Sequence, residues 1–464
     1  MNDEKNLKPF GIADKIGYMF GDFGNDFSFL LSSMYLMKFY TDVMGVMPAL
    51  VGAMMMLARI VDAFTDVTMG QICDRSKPTG KGKFTPWIRR MCGPVALASF
   101  LMYATWFKDM PMSFKIVWMF ATYLLWGSIC YTGINIPYGS MASAISPEAK
   151  DRVQLSAWRT IGATLANIVI GVVLPLVVYY KNKEGNAIFS GTRMVYASIA
   201  CSICAVICYL LCYYMTTERV KISQVTEKFS FVEMIKYLFT SRALIGIDIA
   251  ALLLLLSKLT LNSMGNYIYP NYFGSATGLS VATMTGSVLT LIMAVLVPVM
   301  VSKFGKKEIS AAASFVGAAL LVIAYFMHIK NIYLWLVLYT VSYFSIAIFD
   351  TLCWAMITDV IDDIEVKKGK RSDGTVYSVY SFARKLGQAL SSGLTGGLLT
   401  MIGYTAATAY DKNVTDGIYN ITCLVPAAGL ILFTITIIFV YPLGKKQVEQ
   451  NVAYLKTKRE GNEK

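Results

Sequence analysis

Along the chain, long apolar runs alternate with short polar connections from near residue 14 to residue 442. Most runs hold 20 or more residues, which at about 1.5 Å per helical residue cover the roughly 30 Å of a hydrocarbon core. The pattern predicts twelve helices, over 14–41, 47–73, 88–107, 113–143, 153–180, 192–215, 243–269, 279–302, 309–328, 331–358, 373–404 and 418–442. These runs lack the strict alternation of barrel strands, and unpaired backbone is too costly in lipid, so the fold class is an all-α integral membrane protein. The first run has no short apolar core ending in a small-residue cleavage site and reads as a retained helix.

Composition agrees with the pattern. Of 464 residues, 56% are hydrophobic and 15% charged, with a mean hydropathy of +0.53. A soluble enzyme of this size would carry about 25% charged residues. If both termini face the cytoplasm, most of the 42 Lys and Arg fall on the cytoplasmic side, and this positive-inside pattern accounts for the net charge of +13 without any nucleic acid. The basic tail GKKQVEQNVAYLKTKRE suits an anionic leaflet. The nine cysteines do not form a disulfide framework: Cys201, Cys204, Cys208 and Cys212 recur at helical spacing on the sixth span, as small packing residues. The one histidine, His328, falls near an outer membrane surface, and no metal cluster accompanies it.

The connections divide the chain. A charged stretch at 217–242 separates the sixth and seventh spans, and a short basic loop follows the second span of each half, DRSKPTGKGKF at 74–84 and SKFGKKE at 302–308. The expected organisation is a six-helix bundle over 1–216, a central cytoplasmic loop over 217–242, a second six-helix bundle over 243–442 and a basic cytoplasmic tail over 443–464. Two six-helix halves related by a weak repeat resemble the plan of the major facilitator superfamily.

The candidate chemistry lies inside the spans. In RIVDAFTDVTMG (59–70), Asp62 and Asp66 stand four residues apart on one helix face. Charge in a span is costly and usually faces a bundle interior or a water-filled cavity. Two adjacent carboxylates in a dry interior would repel and take up a proton, whereas a cation between them keeps both ionised, so the pair suits Na⁺ or H⁺. Asp22 and Asp26 in GDFGND, Asn135 in TGINIPYGS, Arg159 in SAWRT, and Arg384 with Lys385 in SFARKLG extend the set to five helices.

RIVDAFTDVTMG followed by GKGKFTPWI, NIPYGS, DRVQLSAWR and the DVIDDIEVKKGKRSDG loop resemble the glycoside/pentoside/hexuronide:cation symporters, and the resemblance covers nearly the whole chain. It implies a bacterial inner-membrane, cation-coupled sugar symporter acting as a monomer, with no cofactor beyond the coupling ion. Asp62 and Asp66 match the family's cation-binding pair, Asp26 its sugar-hydroxyl acceptor, Arg159 its basic sugar contact, and Lys385 the lysine between the sugar and cation sites. Tyr131 and Thr132 match residues lining the same region, Thr132 and Asn135 are assigned to the cation, and Asp22, Tyr131, Asn135 and Trp158 to the sugar. Charged and amide groups bond hydroxyls that both donate and accept, and the rings of Tyr131, Tyr138 and Trp158 suit the apolar sugar face.

Two positions depart from the family pattern. Asn135 stands where a third acid is expected, and Gly139 where an aromatic follows. An amide carbonyl can still coordinate a cation, yet it supplies no charge, which leaves Na⁺ and H⁺ both open. The more positive site, with Arg159, Arg384 and Lys385, leans toward an acidic sugar. Transport is expected by alternating access, with Arg75, Lys83, Arg152, Asp359 and Arg371 pairing across the halves when the inner gate is shut. The chain lacks HExxH and nucleophile-elbow motifs, which argues against a membrane enzyme; a channel would not need a coupled acid pair, and a facilitator of drugs or peptides is the rival within the fold.

Overall fold

A computed structural model describes residues 8–220, 239, 241–369 and 373–462. Each predicted span is matched by a helix. In the first half these are α1 (Ile12–Asp42), α2 (Pro48–Arg75), α3 (Thr85–Leu101), α4 (Met112–Ile145), α5 (Lys150–Val178) and α6 (Gly191–Met215). The second half holds α7 (Arg242–Tyr272), α8 (Ala276–Phe304), α9 (Lys306–Met327), α10 (Ile332–Lys368), α11 (Asp373–Met401) and α12 (Lys412–Val440), and α13 (Lys445–Asn462) follows.

Among the described residues, eight helices are both long and apolar enough to cross a membrane by themselves: α4 to α10 and α12. The other four fall short for a physical reason. α3 has 17 residues, and α1, α2 and α11 carry charges along their length, Asp22, Asp26 and Lys38 on α1, Arg59, Asp62 and Asp66 on α2, and Arg384 and Lys385 on α11. The side chains that mark the candidate site lower the apolarity of the helices that carry them.

The packing repeats itself. α1 packs on α5 and α6, α3 on α4 and α6, and α2 on α4; shifting each number by six gives α7 on α11 and α12, α9 on α10 and α12, and α8 on α10, all of which are in contact. Contacts between halves obey the same relation, α2 with α11 and α8 with α5. Small residues let these helices approach. Ideal Cβ atoms on Gly21 and Gly24 of α1 would lie 3.0 Å from the Cys212 sulfur and 3.2 Å from Cys208 of α6, so these cysteines act as small packing groups, and all nine are free.

One element departs from the expected all-helical pattern. Strands β1 (Tyr179–Lys181) and β2 (Ala187–Phe189) form an antiparallel hairpin between α5 and α6. Its tip, NKEGN, contains Gly185 at φ +85°, a left-handed turn geometry that glycine adopts without strain.

Candidate functional site

The acid pair is built by two helices in register. α2 presents Asp62 and Asp66 one turn apart, and α4 answers with Ser128 and Thr132 at the same spacing. The Ser128 hydroxyl donates to Asp62 Oδ1 at 2.6 Å and the Thr132 hydroxyl to Asp66 Oδ1 at 2.8 Å. A π-helical turn over Leu125–Tyr131 lies at this point of α4; such turns insert a residue and re-aim the face of a helix, frequently at functional sites. Gly127, on the same turn of α4, lies beside Asp62, and a Cβ there would meet Asp62 Oδ1 at an ordinary contact distance of 3.5 Å.

Both remaining carboxylate oxygens face cations. Arg59 Nη1 pairs with Asp62 Oδ2 at 3.1 Å while its guanidinium rests on the Phe29 ring, 5.1 Å from the centroid. Lys385, from α11 of the other half, pairs with Asp66 Oδ2 and also donates to the Asp62 carbonyl at 3.3 Å. Two negative and two positive side chains balance. Any small cation entering between the acids would compete with the Lys385 ammonium for Asp66.

A second polar group lines α1, α4 and α5. Arg159 Nε donates to Asp22 Oδ1 at 2.9 Å, with its side chain 44% exposed and its guanidinium over the Tyr138 ring at 5.4 Å. Asp26, one turn along α1 from Asp22, is half-buried, and among the described residues no group donates a hydrogen bond to its carboxylate. Asn135 accepts from Asn25 Nδ2 at 3.4 Å, and Asn25 Oδ1 accepts from the Tyr209 hydroxyl at 2.9 Å. The structure therefore turns Asn135 toward α1, whereas Thr132, one turn earlier, bonds the acid pair. Tyr131 stacks on Phe29 with centroids 5.9 Å apart, and Trp158 is half-buried next to Arg159 in the chain.

The expected gating residues lie away from this centre. Arg75 and Arg152 sit at the ends of their helices and are exposed. The backbone N–H of Lys83 donates to Glu218 at 2.7 Å, and Asp359 pairs with Lys306 at 2.8 Å; both contacts stay within one half. Arg371 lies outside the described residues.

Four charged positions were not picked out as a group by the sequence. Lys38 is buried and pairs with Asp42 at 2.9 Å while donating to Asn271 at 3.0 Å; Lys258 pairs with Asp350. Asp350 lies 92 residues from Lys258, so local spacing gives no sign of the second pair.

Comparison with known proteins agrees with this architecture. The family described as MFS/sugar transport protein matches residues 17–445. The glucuronide carrier protein homolog of Escherichia coli is 30% identical, covering 96% of this chain and 95% of its own. A putative sulfoquinovose importer of the same organism is 31% identical, covering 96% and 94%. The isoprimeverose transporter of Lactiplantibacillus pentosus is 27% identical, covering 94% and 89%. Among solved structures, the nucleoside transporter NupG superposes with a TM-score of 0.61 at 16% identity, over 94% of this chain and 100% of its own, a likeness of fold. A charged interior shared by two six-helix halves, with a family match over nearly the whole chain, makes this a multi-pass transporter and not an enzyme: the chain belongs to the MFS/sugar transport protein family, with the major facilitator fold.

Proposed function

We propose that this protein is a symporter that couples entry of a glycoside, pentoside or hexuronide to Na⁺ or H⁺ by alternating access. The observation that carries the reading is the bridge from Lys385 of one half to Asp66 and the Asp62 carbonyl of the other. A cation taken up by the acid pair displaces the Lys385 ammonium from Asp66, so ion binding acts directly on a tether between the halves, and coupling is a binding free energy. Asp26 and Arg159, beside this centre, offer an acceptor and a donor to sugar hydroxyls. Relatives named for a glucuronide, for sulfoquinovose and for isoprimeverose support a sugar cargo and leave an acidic one open.

In this reading α1, α2, α3 and α11 cross the membrane with the other eight, because charged helices sheltered inside a bundle need less apolar surface. The protein sits in a bacterial plasma membrane as a monomer, with both termini and the basic loops in the cytoplasm. Uptake of radiolabelled sugars into proteoliposomes, with an imposed sodium gradient, a proton gradient or neither, tests the proposal. Accumulation above equilibrium under one gradient is expected. Uptake that only equilibrates under every gradient would make the protein a facilitator.

A further inference from the structure

In the second half, Lys258 of α7 and Asp350 of α10 form an ion pair whose side chains remain 27% and 21% exposed. Partly exposed charges this far inside a span face water rather than hydrocarbon. The register between the halves indicates which space that is. α1 and α7 touch near their far ends, where Asn266 donates to the Met34 carbonyl at 2.8 Å and Lys38 to Asn271 at 3.0 Å. Later residues of one helix thus meet later residues of the other, so the two run in the same direction. Eight residues before Met34 and before Asn266, about 12 Å along each helix, stand Asp26 and Lys258. The two are level on facing halves by this register.

Arg384 of α11 belongs to the same wall. Its guanidinium lies over the rings of Trp354 and Tyr380, 5.7 and 5.8 Å from their centroids, and it interacts electrostatically with Asp350. Among the described residues no carboxylate comes within ion-pair distance of it. Lys258 and Arg384 against Asp350 leave this wall with a surplus positive charge, and a guanidinium binds an oxyanion through two parallel hydrogen bonds. Trp354 is 51% exposed beside it, a ring available to the apolar face of a sugar. The facing wall holds Asp26, which suits hydroxyls and repels an acid.

We infer that Arg384 and Lys258, with Trp354 as a stacking face, form an anion subsite of the transport cavity that takes the carboxylate or sulfonate of an acidic sugar. This rests on the sugar-transport reading above and assigns the acid group to the second half and the ring hydroxyls to the first. The pairing gives the acid group a role in closure, since a sugar held at both ends draws the two walls together.

The test measures affinities for phenyl β-glucuronide and phenyl β-glucoside by calorimetry, on wild type, Arg384→Gln and Arg384→Lys in nanodiscs, alongside sugar uptake by the wild type in proteoliposomes. Wild type is expected to prefer the glucuronide. Arg384→Gln should lower the glucuronide-to-glucoside affinity ratio by about tenfold or more, as loss of a charge-assisted bond does, with Arg384→Lys in between. Lys258→Gln gives the same ratio test if Arg384→Gln does not fold. A wild-type ratio in these variants, in a protein that does take up sugar, overturns the subsite and leaves the sugar reading standing. A wild type that takes up no sugar overturns both.

Discussion

Asp62 and Asp66 are the residues most directly readable from the sequence, because a helical i, i+4 spacing fixes a shared face without knowledge of the fold. What surrounds them is less readable. Ser128, Thr132 and Lys385 reach them from positions 66 and 319 residues away, and Arg59, three residues before Asp62, resembles any isolated basic residue until its guanidinium is seen on Phe29. Asp62→Asn and Asp66→Asn should each leave the protein folded and able to equilibrate sugar, yet abolish accumulation against a gradient; accumulation at the wild-type level in either variant would remove the pair from the coupling site. The sugar side is tested separately. Asp26→Ala and Arg159→Ala each delete a charged partner for a hydroxyl, worth typically about 1.5–3 kcal/mol, so binding should weaken by about ten- to 150-fold in equilibrium titrations. Arg159→Ala also leaves Asp22 without its 2.9 Å partner, so its effect should be the larger of the two. Unchanged affinity in both would move the sugar elsewhere.

Helix limits followed closely from apolar run length, since a bilayer crossing sets a minimum length and charged loops set the ends. The contacts that aim those helices did not. The π-helical turn at Leu125–Tyr131 has no motif of its own, and the start of β1 falls at the end of an apolar run because Tyr179 and Tyr180 suit either structure, while β2 lies in the connection that follows. Close approach between α2 and α11 depends on two glycines that composition alone does not single out. A Cβ on Gly396 would lie 2.4 Å from the Pro48 carbonyl oxygen, and one on Gly52 2.6 Å from that of Ser392, distances at which backbone must move. These glycines sit at the end of the halves where Thr400 also binds the Ala49 amide at 2.8 Å. Gly396→Val should therefore wedge α2 and α11 apart and disfavour the state closed at this end. Crosslinking of a cysteine pair introduced at Pro48 and Thr400, in a background without native cysteines, should slow severalfold when Gly396 is replaced by valine. An unaltered rate would show that the helices absorb the added bulk.

At the scale of the whole molecule, the polar contacts between the halves are distributed unevenly. The Lys385 bridge to Asp66 lies toward the basic face, where α2 ends at Arg75. Toward the opposite face they accumulate: Lys38 with Asn271 and Tyr404, Asp42 with Tyr404 at 2.9 Å, Tyr179 with the Asn266 carbonyl at 3.1 Å, and Tyr410 with the Ala187 carbonyl at 2.6 Å. Lys38 is the centre of this clasp, 1% exposed, with its ammonium 4.6 Å from the Tyr267 ring centroid and 5.0 Å from that of Tyr404. On the basic face, Asp14 pairs with Arg219 and Asp359 with Lys306. The proposed alternating access requires the imbalance to reverse, so the strength of the clasp must be balanced: too strong and the opposite face never opens, too weak and it never seals. Removing one member of a buried ion pair commonly costs about 3–5 kcal/mol, and each 1.4 kcal/mol shifts a two-state ratio about tenfold, enough for a single substitution to change the resting state. Lys38→Ala is expected to open the clasp and close the basic face. Spin labels at Met47 and Lys412 would move apart while labels at Arg75 and Lys367 draw together, read as distance distributions with and without sugar. If both distributions stay at their wild-type positions, Lys38 only fills its pocket, and the face is held by the remaining hydrogen bonds and helix packing.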